Sequence, residues 1–119
     1  MIGIDIVQIS RIAEKIKNNS FMIGCFTVNE RAYYVDKGTR SETLAGFFAA
    51  KEAVAKALGT GIAHFKLTDI EVTHTPSGAP QITLYHNAKR IADQKGAKEI
   101  HISIAHDGDM ATAIAMLQH

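Results

Sequence analysis

The sequence predicts a single α+β domain in which a largely antiparallel sheet carries helices packed on one face. The length of 119 residues matches one common domain of roughly 100 to 150 residues, so residues 1–119 are interpreted as one domain. Hydrophobic residues make up 46% and charged residues 21% of the chain, which is typical of a globular protein with one ordinary core. Two hairpin signals join strand patterns, and hairpins pair their strands antiparallel.

The chain begins with a predicted strand and two short helices. Apolar residues alternate over residues 2–7, which is the period of a strand. Ser10 is the predicted N-cap of a first helix. Thr27 and Glu30 have the spacing of a capping box, in which each side chain binds the other residue's backbone N–H, and Gly38 can end the helix begun there.

The longest predicted helix spans residues 42–58. Ser41 can cap its first turn, its composition is rich in alanine, leucine and phenylalanine, and Gly59 and Gly61 follow its last residue. A helix that is apolar almost all round is expected to be buried on most sides. Any charged residue within it therefore needs an explanation.

The second half of the chain predicts two hairpins separated by a helix. Ser77-Gly78 and Asp107-Gly108 are the turn signals, and Gly96 is the predicted end of the helix. The predicted elements are a strand over 69–74, a strand over 81–85, a helix over 87–95, a strand over 100–104 and a strand over 110–117.

Charge and cysteine content exclude several classes of partner. Thirteen basic and twelve acidic residues give a formal charge of +1, without the basic surplus expected of a nucleic-acid-binding protein. No apolar run approaches the roughly 20 residues that cross a bilayer, and residues 1–7 do not form a signal peptide. The single cysteine, Cys25, cannot form an internal disulfide. We expect a cytoplasmic protein with neither a nucleic-acid nor a membrane partner.

Two acidic residues lie where the pattern favours apolar side chains. Asp5 lies within the first strand. In the structural interpretation, its carboxylate is exposed at the surface or bonded to backbone amides. In the functional interpretation, which the pattern favours equally, it binds a metal or takes part in catalysis. Glu52 and Lys56 lie four apart in the longest helix, and an exposed ion pair is the simpler interpretation. In the functional alternative, Asp5 and Glu52 hold a divalent cation and Lys56 faces the anion that the cation binds. That arrangement is typical of phosphate chemistry.

His106 is the best-placed histidine. Its even spacing from Ile100, Ile102 and Ile104 extends the apolar face of that strand, whereas His101 lies on the other face. The structural interpretation is a core imidazole bonded to a backbone carbonyl. The functional interpretation is a binding residue.

Four sequence blocks in order, covering nearly the whole chain, carry a resemblance to a known family. The blocks are Gly3-Ile4-Asp5-Ile6 with Arg11, Phe48-Ala49-Ala50-Lys51-Glu52-Ala53 with Lys56 and Gly59-Thr60-Gly61, Ser77-Gly78-Ala79-Pro80, and Ser103-Ile104-Ala105-His106. Together they resemble the bacterial holo-acyl-carrier-protein synthases of the phosphopantetheinyl transferase superfamily. The chain departs from that pattern at Phe47, where relatives often have a basic residue, and at Ala105, where many have serine or threonine. Lys37 or Arg40 is the proposed substitute for the basic residue that is missing at position 47.

The resemblance implies a metal-dependent transfer from coenzyme A. A serine of an apo acyl carrier protein attacks the β-phosphorus, 4'-phosphopantetheine is transferred, and 3',5'-ADP leaves, in support of fatty acid synthesis. Asp5 and Glu52 are expected to hold Mg²⁺ or Mn²⁺, Glu52 to act as the base, and Lys56 to contact the leaving phosphate. The residues expected near the coenzyme are Lys56, Gly59, Thr60, Gly61, His106 and Arg40.

The resemblance also implies protein partners. Relatives of this length form homotrimers with the coenzyme between subunits. Arg11 matches the arginine that contacts the acidic carrier, and Lys15 lies four residues further on the same helical face. Two alternatives stay open: a non-catalytic module that binds a nucleotide or coenzyme A, and a structural oligomer in which Glu52 pairs with an exposed Lys56 and no cleft exists.

Overall fold

The structure, a computed structural model, describes residues 1–59 and 64–119. Its elements alternate in the order expected of an α+β domain. They are β1 (Ile2–Gln8), α1 (Ile9–Lys15), α2 (Asn19–Cys25), α3 (Val28–Asp36), α4 (Ser41–Leu58), a 3₁₀ turn (Leu67–Asp69), β2 (Ile70–His74), β3 (Pro80–Leu84), α5 (His86–Gln94), β4 (Glu99–Asp107) and β5 (Met110–Gln118).

Every strand pairing in the described residues is antiparallel, which confirms the predicted fold class. The strands form two sheets, however, where the sequence predicted one. One sheet has the order β1-β5-β4, and the other is the β2-β3 hairpin. A groove of about 790 Å³, lined by residues of β3, α5 and β4, lies between the two sheets. The single predicted sheet was therefore wrong, because β3 and β4 diverge around this groove instead of pairing.

Helix α4 packs against one face of the three-stranded sheet at unusually short range. A Cβ atom on Gly3 would lie 2.0 Å from the carbonyl oxygen of Ala53 and 2.6 Å from the nitrogen of Ala57. Only glycine fits this position of β1. The central strand also presents small side chains to the helix, namely the buried Ala111, Ala113 and Ala115.

The opposite face of the three-stranded sheet is apolar and exposed. Its large side chains alternate with the small inward ones along β1 and β5, and the register places Ile4 beside Ile114. The exposed residues of this face are Ile2, Ile4, Ile6, Ile114 and Met116. An exposed apolar patch of this kind indicates an interaction surface.

The local helix signals were partly correct. The capping box of Thr27 and Glu30 is confirmed at the start of α3. The predicted caps at Ser10 and Ser41 were wrong: α1 begins two residues and α4 one residue earlier than predicted, and neither has a side-chain cap at the preceding residue. Helix α2 was not predicted, and its signal is Asn18, whose side chain accepts a hydrogen bond from the backbone of Phe21 at 3.2 Å.

Helix α4 ends where the sequence predicts. Gly59 adopts a left-handed conformation with φ of 79°, which only glycine reaches without strain. The expectations for Thr60 and Gly61 lie outside the described residues. Among the helices of residues 1–59 and 64–119, none combines the length and apolar character that crossing a membrane requires.

Candidate active site

A cleft of about 370 Å³ opens between β1, α1 and α4. Four charged side chains line it, two acidic and two basic, together with the ring of Phe48. The charged residues are Asp5, Arg11, Lys15 and Glu52. We call this space the carboxylate cleft.

Asp5 reaches the carboxylate cleft because it lies on the inward face of β1. The strand alternates, so Ile4 and Ile6 are exposed on the outer face while the Asp5 side chain is only 16% exposed. The Lys56 ammonium, one turn along α4, donates to Asp5 Oδ1 at 3.0 Å and to the carbonyl oxygen of Ile4 at 2.9 Å. Lys56 therefore pairs with Asp5 and not with Glu52, which removes the simpler interpretation of an exposed Glu52–Lys56 pair.

Glu52 is half-buried beside Asp5. Burial raises the pKa of Glu52 above its ordinary value, the negative charge of Asp5 raises it further, and the ammonium groups of Lys56 and Lys15 oppose the shift. Two carboxylates that disfavour each other's charge form a site where a cation would be stabilised. The structure thus brings together the two acids that the sequence singled out.

The donor set at this cleft fits a hard divalent cation. In residues 1–59 and 64–119, no three histidine, cysteine, aspartate or glutamate side chains gather as a metal cage. A full cage is not needed for Mg²⁺, which keeps several water ligands and is commonly held by one or two carboxylates together with substrate phosphates. Asp5 and Glu52 supply that number of carboxylates.

Helix α1 brings Arg11 and Lys15 to the mouth of the carboxylate cleft. Its first turn is anchored from the β4–β5 turn by Asp109, whose carboxylate accepts from the Ser10 backbone at 2.9 Å and from the Ser10 hydroxyl at 2.5 Å. Lys15 also lies 5.6 Å from the ring centre of Phe21 on α2. The anchoring role of Asp109 was not predicted, because its partner lies 99 residues away in sequence.

His106 lies in a second cleft, of about 200 Å³, on another side of α4. The ring atom Nε2 is 3.0 Å from the carbonyl oxygen of Glu42, so the predicted bond to a backbone carbonyl is present, although the residue is exposed and not part of the core. Gly46 makes this approach feasible, since a Cβ there would lie 3.0 Å from His106 Nε2. We call this space the imidazole cleft.

Three aromatic rings also line the imidazole cleft, and two of them were not singled out in the sequence. Tyr33 and His74 stack with ring centres 4.1 Å apart and planes 7° apart. Phe47 packs 5.6 Å from Tyr33 and 5.7 Å from His74. Burial lowers the pKa of His74, and the nearby Lys37 ammonium lowers it further. No local signal could reveal this group, because its members come from α3, α4 and β2.

Lys37 and Arg40, the two proposed substitutes for the basic residue that relatives have at the position of Phe47, differ in their surroundings. Arg40 forms an exposed ion pair with Glu42 at 2.9 Å, and this contact holds the pKa of Glu42 below its ordinary value. Lys37 lies 5.6 Å from the ring centre of Tyr33, which lines the imidazole cleft. Lys37 is therefore the better placed of the two.

Gly59 lies at the far end of α4, next to a lysine that the sequence analysis did not single out. A Cβ on Gly59 would be 3.6 Å from the ammonium of Lys95 and 3.4 Å from the methyl group of Met1. Gly59 lines neither cleft among the described residues. The two clefts also share no lining residue, so one chain presents the predicted site in two separate parts.

Comparison with known proteins identifies the family of the chain. Residues 1–115 match the model of the 4'-phosphopantetheinyl transferase superfamily. A holo-[acyl-carrier-protein] synthase of Alkaliphilus oremlandii is 49% identical over 116 residues, covering 97% of this chain and 95% of that protein. The corresponding protein of Clostridium kluyveri is 45% identical over 118 residues, covering 98% and 88%.

Solved structures show the same likeness in three dimensions. The Helicobacter pylori holo-[acyl-carrier-protein] synthase in complex with coenzyme A superposes with a TM-score of 0.87 at 37% identity, covering 99% of this chain and 100% of that one. A Bacillus anthracis synthase in complex with coenzyme A (3',5'-ADP) gives 0.78 at 36% identity, covering 98% and 93%. The family match spans residues 1–115, and the solved relatives are similar to this chain in both sequence and fold. The chain therefore belongs to the 4'-phosphopantetheinyl transferase superfamily.

Proposed function

We propose that this protein transfers 4'-phosphopantetheine from coenzyme A to a serine of an apo acyl carrier protein and releases 3',5'-ADP. The observation that carries the proposal is the carboxylate cleft, where Asp5 and Glu52 face one space with Lys56 bonded to Asp5. Relatives at 38–49% identity are holo-[acyl-carrier-protein] synthases, and two solved relatives are complexes with coenzyme A.

The residues of the carboxylate cleft have complementary tasks in this reaction. The serine hydroxyl must lose a proton as its oxygen attacks the β-phosphorus, and Glu52, a carboxylate that lines the carboxylate cleft, is the proposed acceptor of that proton. The bond between the β-phosphorus and its bridging oxygen breaks, and negative charge moves onto the departing 3',5'-ADP. Lys56 lies one helical turn from Glu52, where its ammonium can stabilise that charge.

Asp5 and Glu52 are the proposed ligands of Mg²⁺, with Mn²⁺ as an alternative. When bound, the cation supplies charge neutralisation to the pyrophosphate oxygens. Lys56 occupies Asp5 Oδ1 at 3.0 Å, and its side chain is 54% exposed. An exposed ammonium can turn from Asp5 towards the substrate phosphates, and the bound cation would then neutralise the Asp5 carboxylate.

The imidazole cleft is the proposed site for the adenine end of coenzyme A. Its stacked Tyr33 and His74 offer an aromatic surface, and His106 and Lys37 offer groups that can contact a phosphate. Because this cleft shares no residue with the carboxylate cleft, we propose that the coenzyme bridges the carboxylate cleft of one subunit and the imidazole cleft of a neighbour.

A homotrimer is the proposed assembly that creates such a bridge. The large apolar residues on the outer face of β1 and β5 support it: Ile2, Ile4 and Ile6 are 63%, 61% and 61% exposed. Burying this face against further copies would remove apolar area from water. The deep site that coenzyme A requires would then lie between copies of a small domain.

The acidic carrier protein is proposed to dock on α1. Arg11 and Lys15 line the mouth of the carboxylate cleft, so a carrier held there would present its serine to Glu52. Lys17 is not part of this surface, because it pairs with Glu14 at 2.9 Å. We propose the carrier of fatty acid synthesis as the partner and the cytoplasm as the location.

Incubation with coenzyme A, Mg²⁺ and an apo carrier protein tests the proposal. Mass spectrometry should show the carrier gaining roughly 340 Da, the increment of covalent pantetheinyl transfer. Coenzyme A binding without any increment across several carriers would favour the non-catalytic binding module instead. The absence of both would contradict the family-based function altogether.

A further inference from the structure

We infer that the buried ion pair of Glu30 and Lys51 is a positioning device, which sets the rotation of α4 and thereby aims Glu52 and Lys56. The inference rests on the proposed function. Lys51 precedes Glu52 directly in sequence, yet its side chain is 0% exposed, as is that of Glu30, and the two charged groups are 2.5 Å apart. Charged residues are almost never fully buried unless they are paired.

Every donor of the Lys51 ammonium has an acceptor on a different element. It binds Glu30 Oε1 on α3, the carbonyl oxygen of Cys25 at 2.6 Å and that of Leu67 at 3.2 Å. An ammonium has three N–H donors, so the set is complete. The ring of Phe26 adds a fourth neighbour, 5.4 Å from the nitrogen.

Glu30 is held as firmly as its partner. Its carboxylate accepts from the backbone of Thr27 at 2.9 Å and from the backbone of Val72 at 2.7 Å. The pair therefore connects α4 to the end of α2, the start of α3, the 3₁₀ turn and β2. A different rotation of α4 would leave a buried charge unpaired, which is strongly disfavoured.

On the opposite side of α4, the polar contacts with the sheet, Lys56 to Asp5 and His106 to the Glu42 carbonyl, involve exposed side chains. The contact between α4 and the sheet involves Gly46, Ala53 and Ala57 on the helix and Gly3 on β1. Side chains this small allow close approach but interlock little, so the buried pair adds a directional constraint on the rotation of the helix. In some proteins a buried polar contact specifies one arrangement among similarly packed ones.

The rotation matters because consecutive helical residues project about 100° apart. With Lys51 directed towards α2 and α3, Glu52 is directed into the carboxylate cleft, and Lys56 lies four residues further along that side. A misplacement of about 1 Å at a catalytic group can cost roughly a hundredfold in rate. Lys51 and Glu30 touch no substrate and act only through Glu52 and Lys56.

The test is the double variant Glu30→Gln, Lys51→Met, which removes both charges of the pair together. We measure its free energy of unfolding, its dissociation constant for Mn²⁺ with coenzyme A present, and its kcat and KM for coenzyme A. The expected result is a folded protein whose Mn²⁺ binding weakens and whose kcat falls, each by roughly tenfold or more. A double variant with wild-type Mn²⁺ affinity and kcat would overturn the inference.

Ile91→Ala is the matched control, since it removes buried volume from α5, which carries no predicted site residue. Ile91→Ala should lose stability yet keep its Mn²⁺ affinity and kcat at 25 °C. If the double variant also loses only stability and keeps its Mn²⁺ affinity and kcat, the inference fails. Should the double variant not fold, Glu30→Asp decides, because it keeps both charges and only shortens the reach to Lys51; smaller losses of the same kind are expected, and unchanged values would contradict the inference. A wild-type chain that neither binds Mn²⁺ nor transfers the group would instead overturn the proposed function.

Discussion

The two clefts differ in what holds their residues. The carboxylate cleft is built from a strand and two helices that contact one another directly, and its acids are paired or half-buried. The imidazole cleft is assembled from α3, α4 and the ends of β2, β3 and β4, and its rings stack on one another. One cleft therefore concentrates charge, and the other presents aromatic surface.

The residues Phe47 and Phe48 show how one helix serves both clefts. They are adjacent in α4, yet Phe47 lines the imidazole cleft and Phe48 lines the carboxylate cleft. Helical geometry directs neighbouring side chains to different sides, so a helix separates the two clefts within one chain. In the proposed function, chemistry and nucleotide recognition are divided between the two clefts of one chain, and a second copy is the proposed means of joining them.

The largest expected effect comes from removing a carboxylate of the carboxylate cleft. Glu52→Gln keeps the side-chain shape but removes the charge, so we expect kcat to fall by about a hundredfold or more with little loss of stability. Asp93→Asn is the matched control, because Asp93 is an exposed acid on α5 that pairs only with Lys89 at 3.4 Å. Near-normal kcat in Glu52→Gln would show that the reaction does not depend on this cleft.

A smaller effect should appear when two defective variants are mixed. Glu52→Gln impairs the carboxylate cleft and His106→Ala the imidazole cleft, so mixed assemblies contain some sites with both clefts intact if neighbours share a site. We expect the mixture, after unfolding and refolding together, to recover part of the wild-type rate. Activity equal to the average of the two separate variants would mean that each site comes from a single chain.

Reversing the charge of α1 should affect the carrier alone. Arg11→Glu with Lys15→Glu is expected to raise KM for the carrier protein roughly tenfold and to flatten its salt dependence, while KM for coenzyme A stays the same. Lys17→Glu is the control, since Lys17 lies in the turn after α1 and does not line the carboxylate cleft. If both Michaelis constants change together, the carrier docks elsewhere.

The sequence revealed features that depend on neighbours in the chain. The capping box at Thr27, the left-handed Gly59 and both hairpins are local patterns, and the structure contains all of them. Asp5 could be singled out because a carboxylate in an apolar strand conflicts with the local pattern. Its Lys56 partner, 51 residues away, depends on how β1 packs on α4.

Features decided by long-range packing could not be predicted. The isoleucines of β1 lie on the exposed face of the sheet and Gly3 on the face that contacts α4, because the helix approaches that face too closely for large side chains. Strand periodicity alone does not say which face is buried. The anchoring of α1 by Asp109 spans 99 residues. Lys51 resembles any surface lysine in sequence, and only the fold shows that it is buried.

The smallest expected effect concerns the pH dependence of stability at the imidazole cleft. Burial and the Lys37 ammonium lower the pKa of His74 in the folded protein below its ordinary value of 6.5. As the pH falls through about 6.5, the unfolded chain therefore takes up a proton at this residue before the folded chain does, and the free energy of unfolding decreases until the lower folded pKa is passed. His74→Phe preserves a ring beside Tyr33 but cannot titrate, so its free energy of unfolding should decline less than that of the wild type between pH 7 and about 5. Lys37→Met should give an intermediate slope, because it removes only the second cause of the shift. Identical slopes in urea unfolding for wild type and His74→Phe would mean that His74 does not contribute to acid sensitivity, and that the stacked pair serves recognition without any cost in stability.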